Sequence, residues 1–140
     1  MALDYFISTD KGLLNVDAIQ QFIVNSYWVN GRTVEEVKQT IEHSYCFGIY
    51  TLQNEQIGFA RVVTDYMYFG YFMDVIIFER FQEQGFGKIL VEAMLEDETI
   101  KKLKTLALKT KDAHSLYERF GFNKIGDSKL WMSIDRQILK

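Results

Sequence analysis

Residues 73–95 place the tightest constraint on what this chain can fold into. An apolar run through Asp74, Val75, Ile76, Ile77 and Phe78 enters the polar turn Glu79-Arg80, continues into Gln82-Glu83-Gln84-Gly85-Phe86-Gly87-Lys88, and leads to Ile89, Leu90, Ala93 and Met94 on one helical face. The order is strand, glycine turn, helix. Backbone N–H groups at a helix start, where the peptide dipoles leave partial positive charge, satisfy a pyrophosphate. Gly85 and Gly87 remove the Cβ atoms that would block close approach, Lys88 adds a cation, and the Gln82 amide can donate. Taken alone, the turn fits an ordinary strand-to-helix connection as readily as an anion site.

Two nucleotide patterns can be set aside. A dinucleotide fingerprint needs a third glycine and an acid after the next strand, and a P-loop needs Gly-Lys-Ser or Gly-Lys-Thr; here the run is Gly87-Lys88-Ile89.

The rest of the chain reads as a mixed sheet with helices. Residues 3–8 form a short strand broken by Asp10-Lys11-Gly12. Val16, Ile19, Phe22 and Ile23 recur at helical steps over 15–28, with Asp17 at the N-terminal end and Asn30-Gly31 as the stop. Thr33 followed by Glu36 is a capping box that opens a second helix to about His43. Strands follow over 45–51 and 57–65 as a hairpin, then over 68–78; the glycine turn feeds the helix 85–95. A strand over 103–109, a short helix over 112–120 closed by Gly121, and strands over 122–125 and 129–134 complete the sheet. The predicted order is βααβββαβαββ, in one domain over 1–140, with helices on both faces.

Composition bounds the function classes. A net charge of -3 argues against general attraction to nucleic acid or anionic membranes, so an anionic ligand must be held locally. Cys46, the single cysteine, cannot form an intramolecular disulfide, and with two histidines it cannot build a four-ligand zinc set; no metal is expected, and a reducing cytoplasm is the natural compartment. No apolar run approaches the roughly 18 residues of a membrane-spanning helix, and the N-terminus does not read as a signal peptide.

The chain resembles the GNAT superfamily of acyl-CoA-dependent N-acetyltransferases, whose pyrophosphate loop reads Gln/Arg-x-x-Gly-x-Gly/Ala after the fourth strand. Gln82-Glu83-Gln84-Gly85-Phe86-Gly87 matches each fixed position. A second stretch, Ala113-His114-Ser115-Leu116-Tyr117-Glu118-Arg119-Phe120-Gly121-Phe122, resembles the family's Ala-x-x-Leu-Tyr-x-x-x-Gly-Phe segment. The chain departs from the family at Glu79 and Arg80, where proline is common, and at Thr110, where asparagine is common.

The resemblance implies an α/β (α+β) fold with a mostly antiparallel sheet splayed between the fourth and fifth strands. It also implies acetyl-CoA as acyl donor and an amine of a small molecule or peptide as acceptor. A catalytically silent CoA-binding or interaction module with the same fold is the alternative. Val75, Ile76 and Ile77 would meet the donor through their main chain, and Gln82 to Lys88 would hold its pyrophosphate. Tyr117 matches the tyrosine that protonates the departing thiolate; a phenol, with an ordinary pKa of about 10, carries its proton at neutral pH. The base stays open. Asp74 is a candidate because an acid within an apolar run must face a cleft or be paired, and a hydrogen-bonding role is the equal alternative. Glu79, Asp65 and His43 are further candidates. Acceptor contacts are expected from Tyr27, Trp28, Arg61, Asp65 and Tyr66, and the aromatic content is compatible with a homodimer.

Overall fold

The computed structural model describes residues 3–26, 31–126 and 128–136, which fall into two compact units, residues 1–108 and 109–140.

The first unit carries the sheet. Its strands are β1 (Tyr5–Ser8), β2 (Tyr45–Thr51), β3 (Gln56–Thr64), β4 (Phe69–Ile77) and β5 (Thr105–Leu108), in the spatial order β1-β2-β3-β4-β5. The first four are antiparallel to their neighbours, and β5 lies parallel to β4. The β2–β3 turn follows Thr51, whose N–H donates to the Glu55 carbonyl, with Asn54 at φ 71°.

Two helices connect β1 to β2. In α1 (Val16–Ser26) the Asn15 side chain accepts from the Ala18 N–H at 3.0 Å, capping the first turn. In α2 (Val34–Glu42) the predicted capping box is complete: Thr33 Oγ1 accepts from the Glu36 N–H, and Glu36 Oε1 from the Thr33 N–H. Ile19 and Ile23 of α1, with Val37 and Ile41 of α2, pack on Cys46, Phe59 and Ile76 of the sheet. Alternation along β3 turns Ala60 and Val62 to the opposite face. There α3 (Phe86–Glu96) packs on β3 and β4 and buries Leu90, Val91 and Met94. A short helix, α4 (Glu98–Lys101), then occupies residues that the sequence left unassigned; Asp97 caps it by accepting from the Thr99 and Ile100 N–H groups, and the strand that follows is trimmed to four residues.

The second unit holds α5 (His114–Glu118), ended by Gly121 at φ 97°. The strands expected over 122–125 and 129–134 are not formed among the described residues. Leu130, Met132 and Ile134 keep the alternation that suggested a strand, but they are 91%, 93% and 79% exposed. Alternation marks a segment able to pair, whereas a strand exists only where another backbone completes its ladder. No helix among the described residues is long and apolar enough to cross a membrane.

Candidate active site

The second half of β4 is the structural centre of the site. Its ladder with β5 runs from Phe69 to Phe72 and stops. Toward β3 the register shifts: Phe59 faces Ile76 and Arg61 faces Met73, so Ala60 alone stands opposite both Asp74 and Val75. One extra residue on β4 is a β-bulge, which bends the strand and increases its twist. Asp74 takes the strained position, at φ 50°. Val75, Ile76 and Ile77 therefore follow a bulge and lie beyond the last β4–β5 pair, where a parallel neighbour no longer takes up main-chain groups. Gly58 belongs to this geometry, because a Cβ there would sit 2.5 Å from the Ile76 carbonyl oxygen.

The strand leads directly into the glycine loop. The Phe78 N–H donates to the Ile57 carbonyl, and a single 3-10 turn at Glu79–Phe81 buries Phe81. The Gln82 amide donates to the Ile77 carbonyl at 2.9 Å, tying the loop back to the end of β4; one of its two N–H bonds is thus used internally. Gly85 is the N-cap of α3 at φ 86°, and no side chain caps the helix. The N–H groups of Phe86, Gly87 and Lys88 form the first turn, which has no acceptor within its own helix. Phe86 is buried, edge-on to Tyr5 and Phe81, and so fixes the helix start on the sheet. An uncapped helix start with an exposed Lys88 beside it suits a phosphate chemically.

A charged cluster sits under the bulge. Asp74 Oδ2 accepts from Arg61 Nε at 2.7 Å and from Arg32 Nη1 at 2.7 Å, while Oδ1 accepts from Arg32 Nη2 at 2.9 Å. Arg61 Nη1 also donates to Ser44 Oγ at 3.1 Å, and Ser44 donates to the Thr40 carbonyl at 2.6 Å. Burial raises the Asp74 carboxyl, but hydrogen bonding and charge from Arg32, then from Arg61, outweigh it and hold the group below its ordinary value. A carboxylate so committed is a poor proton acceptor, and the geometry favours the hydrogen-bonding alternative for Asp74. Arg32 and Ser44 escaped sequence reasoning; the one signal was that an acid in an apolar strand demands a partner, and nothing local said which.

The other expected residues scatter. Asp65 accepts from the N–H groups of Met67, Tyr68 and Phe69, which holds it below the ordinary carboxylate value and shapes the β3–β4 turn. Tyr66 is beside it at φ 64°, edge-on to Tyr45. Both sit before the first residue of β4, while the glycine loop lies beyond its last, roughly 30 Å of strand away. Arg61 does reach the bulge. Glu79 is exposed at the loop, and His43 is exposed at the end of α2. Tyr27 and Trp28 lie outside the described residues.

Within the second unit, Tyr117 is buried in α5, its ring edge-on to Phe122 at 5.8 Å. The Phe122 N–H donates to the Tyr117 carbonyl, and Thr110 Oγ1 accepts from the Ala113 N–H just before the helix. Among the described residues no group of three or more His, Cys, Asp or Glu is placed to hold a metal ion.

Comparison with known proteins gives the family and the fold. The family described as the acetyltransferase (GNAT) domain matches residues 42–124. A candidate acetyltransferase of Gibberella zeae is 30% identical over 112 residues; the match covers 66% of this chain and 63% of that protein's length. The uncharacterized N-acetyltransferase ycf52 of Porphyra purpurea is 27% identical over 129 residues, covering 89% of this chain and 73% of the relative. A crystal structure from Xanthomonas campestris pv. campestris, of a protein belonging to the same family, superimposes with a TM-score of 0.84 at 30% identity and covers 96% of both chains.

Proposed function

The chain belongs to the GNAT family of acetyltransferases, and from that premise we propose that it moves an acetyl group from acetyl-CoA to a primary amine of a small molecule or peptide, by direct attack within a ternary complex. One observation carries the donor side: the uncapped start of α3 at Gly85 is joined, by one 3-10 turn and a loop tied back through Gln82, to the half of β4 that has left its β5 neighbour. A long anionic donor matches that layout. Its phosphates suit the N–H groups of Phe86, Gly87 and Lys88, and its amide-bearing arm suits the main chain of Val75, Ile76 and Ile77. Gln82, Glu83 and Gln84 complete the loop.

The chemistry then needs few protein groups. The amine nitrogen attacks the thioester carbon, the carbon–sulfur bond breaks, the thiolate takes a proton, and the amine gives one up. A β4 N–H directed at the developing oxyanion lowers the barrier by roughly 3 kcal/mol. Tyr117 is our choice for the proton given to sulfur. Because Asp74 is held by two arginines, we assign the amine proton to water rather than to that carboxylate.

Calorimetric titration with acetyl-CoA, followed by thiol release across an amine panel, tests the reading. Cys46 will not confuse the assay: it is buried, and burial pushes its thiol up to about 11. Absence of acetyl-CoA binding at high micromolar concentration would sink the proposal. Binding without turnover on any amine would replace the enzyme with a silent CoA-binding module.

A further inference from the structure

The second half of β4 is bent by a residue that pays a conformational penalty. Asp74 is the one β4 residue at positive φ, and it is also the residue with which the bulge against Ala60 begins. Aspartate tolerates this region better than most residues, yet in a strand flanked by Met73 and Val75 nothing in its own backbone selects it. The side chain supplies the reason. Its two carboxylate oxygens accept three hydrogen bonds from two guanidinium groups that reach it from different elements. Arg61 comes from β3, the strand that the bulge is measured against, and is itself oriented by Ser44 just beyond α2. Arg32 comes from the connection between α1 and α2 and grips both oxygens in a planar fork.

We infer that Asp74, clamped by Arg61 and Arg32, is the positioning residue that sets the β4 bulge and thereby presents the main chain of Val75, Ile76 and Ile77 to the donor. This rests on the proposed acetyl-CoA site and adds to it. The clamp differs from a simple structural ion pair in what it controls. It fixes the backbone of one residue immediately before the donor-facing stretch, and through Arg32 it ties that stretch to the α1–α2 connection on the sheet face opposite α3. The remaining groups near Asp74 do not compete for it: Cys46 is a neutral buried thiol on the same face, and Ser44 is already engaged with Thr40 and Arg61.

The test pairs a binding measurement with one that needs no ligand. CoA is titrated into the wild type, Asp74→Asn, Arg32→Ala and Arg32→Lys, each first shown to be folded by far-UV circular dichroism and a cooperative melt. Amide hydrogen exchange is read at residues 73–77 in the ligand-free proteins, with the β1–β2 amides as internal reference. Asp74→Asn keeps the shape and the tolerance of positive φ but loses the charge, and is expected to weaken CoA by at least about tenfold. Arg32→Ala, whose side chain is 28% exposed and so the safer variant for folding, is expected to weaken CoA by about threefold or more, with Arg32→Lys recovering part of the loss. Exchange at 73–77 should accelerate in the same order while β1–β2 stays unchanged. A purely structural pair would lower the melting temperature and leave the affinity of the folded protein alone; folded Asp74→Asn and Arg32→Ala proteins with wild-type CoA affinity and wild-type exchange at 73–77 would overturn the inference. If the wild type fails to bind CoA, the donor assignment falls by itself, and unchanged exchange at 73–77 in the variants still refutes the clamp. Should Asp74→Asn fail to fold, Arg32→Ala decides by both readouts.

Discussion

Arg61 Nε lies 2.7 Å from Asp74 Oδ2, and both residues are more than nine-tenths buried, 6% and 7% exposed. The pair crosses from β3 to β4 at the bulge, so its charges cannot separate into water without opening the sheet. Removing one partner of a buried pair leaves the other charge uncompensated and typically costs about 3–5 kcal/mol. Arg61→Met should fall near the lower end of that range, because Arg32 still neutralises Asp74. Urea unfolding of the two proteins measures it. A loss under about 1 kcal/mol, the range of an exposed pair, would mean that the buried contact is not what holds β3 to β4 there.

The same carboxylate makes a signed prediction for acid. Folding lowers the Asp74 value below its ordinary 3.8, so the ionised form is the one folding favours. Its contribution is then fully present above that ordinary, unfolded value and is lost as pH falls through the lower folded value. Wild type and Asp74→Asn should therefore differ by a constant amount from pH 7 to about 5, and the gap should close below about 4. Thermal melts from pH 7 to 2 decide it. A gap that stays constant down to pH 2 would show that the ionised carboxylate is not its source.

What the sequence made legible follows the range of each signal. The capping box at Thr33 and Glu36, the turn after Thr51 and the start of α3 at Gly85 are written in residues three or four apart, and each stands within a residue or two of where local chemistry put it. The bulge at Asp74 is a relation between two strands, visible only when β3 supplies the register. The partner Arg32 lies 42 positions from Asp74, beyond any local pattern, and the three backbone bonds to Asp65 turned a candidate site acid into a turn-former. For residues 129–134 the period-two pattern was real but had no ladder to join among the described residues.

Gly85 offers a test in which stability and binding move in opposite directions. At φ 86° any side chain is strained, and since no atom lies within 4 Å of an added Cβ, the cost is backbone alone, roughly 1–2 kcal/mol for Gly85→Ala. Gly85→Glu bears the same strain but places an acid at a helix start, which returns about 0.3–1 kcal/mol. Glu should therefore be the more stable of the two variants. For CoA the order reverses, because the carboxylate occupies the place proposed for phosphate: Ala should bind weakly and Glu not measurably. Melting curves and calorimetry on both proteins read the two orders, and a Glu variant that binds CoA as well as Ala would remove the loop from the donor site.

Tyr117→Phe separates an acid from a packing residue. The substitution deletes one hydroxyl and keeps the ring, whose edge contact with Phe122 at 5.8 Å and main-chain bond from the Phe122 N–H do not involve the phenol oxygen. A melt first shows that the variant is folded, and in that folded protein the KM for acetyl-CoA should change little. Turnover should fall by roughly 10²-fold, the usual size of a lost general acid. The defect should also depend on the leaving group: a thioester of a more acidic thiol departs without needing a proton, so the variant should recover toward wild type with an aryl thioester donor. A loss of kcat that is equal for both donors would assign the hydroxyl to positioning, and wild-type turnover with acetyl-CoA would take Tyr117 out of the mechanism.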